Sequence, residues 1–241
     1  MGRVAVVTGG TRGIGEAICL ELKSMGHQVV ANYGGNDQAA KEFTDRTGIP
    51  AFKFDVADYD AVESGLQQIE SDFGPIDIIV NNAGITRDGV LAKMTCDNWN
   101  AVLDTNLKSC YNTCHKLVPG MRERGFGRII NISSVNGQAG QYGQVNYTAA
   151  KAGILGFTKA LALETAKYGI TVNAIAPGYI DTEMVRAVPA DVLEKIVKRI
   201  PVGRLGNTGD IARAARFLAD EQNSFITGAT LSINGGQFMA N

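Results

Sequence analysis

Tyr147 and Lys151 stand four positions apart in the run VNYTAAKAG at 145–153. On a helix that spacing puts both side chains on one face, about 6 Å apart along the axis. A phenol with a pKa of about 10 is a reluctant acid near neutrality. An ammonium about 5 Å away, at an effective dielectric of about 20, favours the phenolate by about 3 kcal/mol, or roughly two pH units. Such a pair could donate a proton to an oxygen that is gaining charge. By itself a tyrosine and lysine at this spacing more often decorates a solvated helix face. Ser134, upstream at the end of an apolar run, adds a hydroxyl that could hold a substrate carbonyl against the phenol. Histidine-based chemistry has no comparable support, since the chain has only His27 and His115.

A second constellation is the run TGGTRGIG at 8–15. Gly9, Gly13 and Gly15, with Thr11, Arg12 and Ile14 between them, allow a tight turn, close approach of backbone to a pyrophosphate, and close packing of the following helix. The context is the strong part, because the run follows a strand and opens a helix at the first crossover. Dinucleotide enzymes that take NAD usually end the second strand with an acidic residue that accepts from the ribose 2′-hydroxyl. Here Asn32 stands there, followed by Tyr33, Gly34 and Gly35. A 2′-phosphate therefore meets no repulsion at that place, Arg12 can pair with it, and Lys41 could assist. NADPH is the expected cofactor. Asp37, close by, reads as the N-cap of the second helix.

These residues need a frame. Apolar, β-branched runs at 3–7, 28–32, 51–54, 76–80, 128–132, 171–175 and 230–233 read as strands buried on both faces. Amphipathic stretches at 14–25, 38–47, 60–73, 97–124, 147–168 and 210–219 read as helices between them. Strand and helix in alternation, with right-handed crossovers, give an α/β fold: a Rossmann-type, doubly wound, seven-stranded parallel sheet with helices on both faces. No Pro/Ser-rich linker or charge block divides the chain, so residues 1–241 are expected to form one domain. Residues 177–201, with three prolines and a short amphipathic piece at 192–199, sit where a lid over a ligand belongs.

Bulk composition narrows the partners. The chain is 45% hydrophobic and 20% charged, with a formal net charge of -1, which suits neither a nucleic-acid backbone nor an anionic membrane. Cys19, Cys96, Cys110 and Cys114 lack disulfide density and fit a reducing compartment. Cys110, Cys114 and His115 are close in sequence but lack a further ligand group, so no metal is expected. The first residues run straight into a strand without a signal-like segment, and no stretch reaches membrane-span length. A cytoplasmic protein is expected.

In their order, TGGTRGIG, the run NNAG at 81–84, Ser134, Tyr147 with Lys151, and Pro177 with Gly178 resemble the short-chain dehydrogenase/reductase family over the whole length. The resemblance implies a carbonyl reductase in which Tyr147 is the general acid, Ser134 polarises the carbonyl, and Lys151 binds the nicotinamide ribose and tunes the phenol. It implies that the backbone of Asn106 holds a proton-relay water. Asp55 and Val56 would line the adenine, and Asn82, Ala83, Gly84 and Ile85 the adenosine side. Pro177, Gly178 and Ile180 would flank the nicotinamide, with Thr182 near its carboxamide and Gly34 among the cofactor contacts.

Within that family, the run NAGITRD at 82–88 is shared by reductases of acetoacetyl-CoA and of 3-oxoacyl groups on acyl carrier protein. The segment SVNGQAGQYGQ at 134–144 reads more like the former, as used in poly(3-hydroxybutyrate) synthesis. By that match Gln141, Tyr142, Gln144 and Tyr179 would contact the acyl and pantetheine portion of an acyl-CoA, with Asp88 and Lys93 at the pocket mouth. Tyr142 departs from the phenylalanine expected there. A carrier protein would instead dock on Arg122, Arg124 and Arg128. A non-catalytic NADP(H)-sensing module is the reading from another class, and it has no need of Ser134, Tyr147 and Lys151 together. The resemblance also implies a homotetramer paired through the helices at 97–124 and 147–168, and an (R)-configured product.

Overall fold

The computed structural model describes residues 2–186 and 188–239; Met1, Ala187, Ala240 and Asn241 fall within the expected domain but outside the described residues. Its centre is one seven-stranded sheet of strands β1 (Val4–Val7), β2 (Gln28–Tyr33), β3 (Ala51–Lys53), β4 (Ile76–Asn81), β5 (Gly127–Ile132), β6 (Ile170–Pro177) and β7 (Thr230–Ile233). All neighbours pair in parallel, in the order β3-β2-β1-β4-β5-β6-β7. Strands β1, β4, β5 and β6 are buried along their whole length, as mainly apolar sequences require when helices cover both faces, whereas the ends of β2 and all of β3 and β7 keep some exposure, so the burial expected of all seven strands holds only for the central four.

Helices α1 (Gly13–Ser24), α2 (Asp37–Thr47), α3 (Tyr59–Phe73), α4 (Cys96–Leu103), α5 (Ser109–Arg124), α6 (Val135–Ala139), α7 (Val145–Thr165), α8 (Glu183–Arg186), α9 (Ala190–Lys198) and α10 (Thr208–Ala219) fill the connections. One face carries a core of Ile18, Leu22, Phe43, Ile78, Ile211 and Leu218, drawn from α1, α2 and α10 against the sheet. The other carries Val62, Leu66, Ile79, Leu117, Met121 and Ile129 beneath α3 and α5. From β1 the chain steps to β2 on one side and later to β4 on the other. That reversal opens a crevice at the carboxyl ends of β1 and β4, the place where open parallel sheets bind ligands.

Two further expectations change. The stretch 97–124 is helical throughout but not uniformly α: a π-helical turn at Asp104–Lys108 lies between α4 and α5. Such a turn widens the hydrogen-bonding ring and re-aims the side chains on it, and Asn106 lies within it. The segment 177–201 holds two short helices, α8 and α9, where one at 192–199 was expected. Among the described residues, no helix is long and apolar enough to cross a membrane.

Candidate active site

The glycine run lies at the mouth of that crevice. Gly9 and Gly13 have φ of +61° and +56°, a conformation open to glycine and costly for other residues. A Cβ on Gly15 would stand 2.2 Å from the Gly9 carbonyl oxygen. The run is tied to the next strand end: Asn82 Nδ2 donates to the carbonyls of Thr8 and Gly9 at 2.9 and 3.1 Å. Thr8 Oγ1 accepts from the amides of Asn82 and Ala83, both at 3.0 Å. Arg12 occupies the N-cap position of α1 without a side-chain cap, so the first amides of that helix lack a side-chain acceptor there. Unspent amides at a helix start suit a pyrophosphate, and the cradle fits a dinucleotide. Thr11 is buried and Ile14 packs on the core beside it. Thr182 reaches the loop from α8's approach, its Cγ2 3.8 Å from where a Cβ on Gly13 would lie.

The end of β2 corrects the sequence reading in three places. Asn32 is buried, accepts from the Gly9 amide at 3.4 Å and donates to the Phe54 carbonyl at 2.9 Å. Its side chain braces the loop and does not face a ribose. Gly34 and Gly35 follow Tyr33, and nothing lies within 4 Å of a Cβ placed on either. The cap of α2 is Asn36, which accepts from the Ala39 amide at 3.0 Å; Asp37 is the first helical residue. Lys41 is paired with Asp45 at 2.6 Å on its own helix, and Arg12 lies 3.8 Å from Glu183.

On the other side of the crevice, the N-cap Ser134 of α6 accepts from the Asn136 amide at 3.1 Å. Tyr147 and Lys151 stand on the first turns of α7. Lys151 is buried; its Nζ donates to the Ile132 carbonyl at 2.8 Å and lies 5.7 Å from the centre of the Tyr147 ring. Burial pulls this ammonium down to about 8. Tyr147 retains some accessible surface, yet protein crowded around its hydroxyl holds the phenol above its ordinary value, against the Ser134 hydroxyl and with the Asp88 charge. Asn106 joins the same centre. Its Oδ1 accepts from the Ile85 amide at 2.8 Å and its Nδ2 donates to the Ile85 carbonyl at 2.9 Å. A Cβ on Gly84 would lie 3.2 Å from Asn106 Oδ1 and 3.5 Å from Lys151 Nζ, so the 82–85 loop passes directly over the lysine.

A family model described as enoyl-(acyl carrier protein) reductase matches residues 9–237. The chain belongs to the short-chain dehydrogenase/reductase family. As a member it is an oxidoreductase acting on a CH–OH/C=O group with a nicotinamide cofactor. It is 61% identical to the acetoacetyl-CoA reductase of Rhizobium meliloti (strain 1021), with 100% of both chains covered. It is 49% identical to the protein of the same name from Cupriavidus necator, over 98% of each chain. To the 3-oxoacyl-acyl-carrier-protein reductase of Salmonella typhimurium it is 45% identical, over 99% of this chain and 98% of the relative.

Asp55 accepts from the Ala57 amide at 2.9 Å, and the Val56 carbonyl accepts from Asn112 Nδ2 at 2.9 Å. Pro177 ends β6; Gly178 donates to the Ile233 carbonyl at 2.9 Å, and the Ile180 side chain belongs to the core. Gln144 is spent within the protein. Its Oε1 accepts from Asn136 Nδ2 at 2.9 Å and its Nε2 donates to Asp88 at 2.7 Å. Together with the Gly89 amide donating to the Gly143 carbonyl at 2.7 Å, this clamp joins the loops at 82–90 and 134–144. Gln141, Tyr142 and Lys93 are exposed, Tyr142 at 88%, while Tyr179 is half-buried beside a cavity of about 250 Å³ that it shares with Ile200, Arg204 and Ile233.

The basic cluster is not a free patch. Arg128 is buried and donates to the carbonyls of Gly127, Gly169 and Glu221. Arg124 is held by Asp77 and the Ile76 carbonyl, and Arg122 by the Tyr168 hydroxyl. Arg128 is the second residue of β5 and Ser134 lies just past its end, about 20 Å away at the usual rise per residue. Cys110 and Cys114 are buried thiols pushed up to about 11 and about 12 by desolvation, whereas His115 Nδ1 turns to the Tyr59 hydroxyl at 2.8 Å, so the three do not converge.

Sequence reasoning missed Thr8, Asn136 and the buried chain Thr113–Asn81–Asn131–Thr158, linked by hydrogen bonds of 2.7, 2.8 and 2.9 Å. The asparagines at the ends of two apolar strands were the available signal, since a polar residue there must find partners when buried.

Proposed function

We propose that this chain reduces acetoacetyl-CoA to (R)-3-hydroxybutanoyl-CoA with NADPH, in poly(3-hydroxybutyrate) biosynthesis. The observation that carries the reading is the convergence of Ser134, Tyr147, Lys151 and Asn106 on one crevice, in a chain 61% identical over its full length to a protein named acetoacetyl-CoA reductase. The cofactor, when bound, supplies the hydride to the carbonyl carbon. Ser134 donates a hydrogen bond to the carbonyl oxygen and orients it. Tyr147, neutral because its phenol is held above the ordinary value, gives its proton to that oxygen as the C–O double bond becomes a single bond. Lys151 holds the ribose and offsets the charge left on the tyrosine, and the backbone of Asn106 holds the water through which the proton is replaced.

Gly9, Thr11, Arg12, Gly13, Ile14 and Gly15 would hold the cofactor, with Gly34 also among its contacts and Asp55 and Val56 lining the adenine. Asn82, Ala83, Gly84 and Ile85 would border the adenosine side, and Pro177, Gly178, Ile180 and Thr182 the nicotinamide. For the acyl-CoA, Gln141, Tyr142, Tyr179 and Lys93 remain available as contacts, whereas Asp88 and Gln144 act through the loop clamp. Residues 1–241 act as one domain with 177–201 as its lid. Assembly is a cytoplasmic homotetramer, supported by exposed apolar Tyr111 on α5 and Leu163 on α7.

The test compares NADPH consumption with acetoacetyl-CoA and with the same acyl group on acyl carrier protein. Faster turnover of the coenzyme A ester is expected, and much faster turnover of the carrier-bound ester overturns the substrate. Tyr147→Phe is expected to slow reduction by about 10³-fold while nucleotide still binds. Reduction at near the original rate refutes the role of Tyr147.

A further inference from the structure

The run from the end of β2 into α2 contains one carboxylate, Asp37, in a place where a free negative charge would repel a 2′-phosphate and accept from a 2′-hydroxyl. That carboxylate is not free. Lys53, the last residue of β3, reaches across from the neighbouring strand, and its Nζ stands 2.9 Å from Asp37. Lys53 comes first, and the Tyr33 hydroxyl second, among the groups that hold the Asp37 carboxyl below its ordinary range. The other two cations of this edge are engaged, Lys41 with Asp45 and Arg12 near Glu183. Between them Gly34 and Gly35 leave open space.

We infer that Lys53 is a cofactor-specificity residue: by pairing with Asp37 it removes the one charge at the end of β2 that would favour a ribose hydroxyl over a ribose phosphate. The inference rests on the NADPH reading and deepens it. The pairing of β2 with β3 sets Tyr33 opposite Lys53, so the sheet itself delivers the cation to the loop that follows β2. Position 53 lies outside the glycine motif and outside β2, where cofactor preference is normally sought. Both side chains are at least half exposed, so the effect expected is modest, about fivefold for one unpaired charge within a Debye length of the phosphate.

The test measures the dissociation constants of NADP+ and NAD+ by calorimetric titration for the intact protein, for Lys53→Met, and for Lys53→Met combined with Asp37→Asn. Lys53→Met is expected to lower the preference for NADP+ about fivefold or more, mainly through weaker NADP+ binding. The double substitution is expected to return the preference to within about twofold of the parent, because no charge then needs masking. If Lys53→Met leaves the preference unchanged, or if the double variant stays as weak as the single one, the masking role is overturned while the NADPH reading stands. If the unsubstituted protein binds NAD+ as well as NADP+, the NADPH reading itself fails and the inference with it.

Discussion

The Lys151 ammonium lies 5.7 Å from the centre of the Tyr147 ring and donates to the Ile132 carbonyl at 2.8 Å. The four-residue spacing alone predicts a cation that makes the phenol more acidic. Burial reverses the order of titration: the lysine is pulled down to about 8 while the tyrosine is held above its ordinary value. As pH rises the ammonium loses its proton first, so in the free protein it is already neutral when the phenol ionises and cannot stabilise the phenolate. Ketone reduction needs the neutral phenol, and this arrangement keeps it neutral. The cation is then the group that limits activity at high pH.

For reduction, kcat/KM is therefore expected to fall as pH rises through about 8, with one ionisation, since this parameter reports groups of the free enzyme. In Lys151→Met the rate should be about 10²-fold lower and the limb near pH 8 absent. A limb of the same midpoint in that variant would assign it to another group.

Stability should follow the same proton. Because Lys151 titrates at about 8 when folded and at 10.5 in its ordinary state, the unfolded chain holds more protons between those values. Stability thus rises with pH across that window, and the penalty for burying the charge, about 3 kcal/mol, is present in full below it. At pH 7 Lys151→Met should unfold at higher urea than the parent, less about 1 kcal/mol for the lost Ile132 bond. The gap should close within the window and reverse by about 1 kcal/mol near pH 10.5, where only the lost bond remains. A variant less stable than the parent at pH 7 would show that the ammonium is better solvated than its burial indicates.

Asn106→Ala deletes both bonds to the Ile85 backbone and leaves an amide and a carbonyl without their partners. A loss of about 1–3 kcal/mol per unsatisfied group is expected, with lower kcat, because the 82–85 loop covers Lys151. Hydrogen exchange at the Ile85 amide should accelerate in the variant. Unchanged protection there would mean the loop is held by other contacts.

Gly15→Ala places a methyl group 2.2 Å from the Gly9 carbonyl oxygen and 2.6 Å from Asn82 Nδ2. The glycine loop cannot yield without losing its bonds to Asn82. A destabilisation of about 1–3 kcal/mol is expected, with at least about tenfold weaker nucleotide binding by calorimetry. Binding at parental strength would show that the loop has slack.

The sequence by itself determined the seven strands, the burial of the central four, the glycine turn and the placement of Tyr147 one helical turn before Lys151, because each depends on local periodicity or on one residue's backbone freedom. It also located Ser134 and Asn106. The tertiary structure alone decided what those groups touch. Asn32 turned inward to Phe54, Gln144 was spent between Asn136 and Asp88, Lys53 arrived at Asp37 from another strand, and desolvation outweighed the attraction expected between Lys151 and Tyr147. Partners distant in sequence and the amount of water left around a charge are set by packing, and neither leaves a spacing to read along the chain.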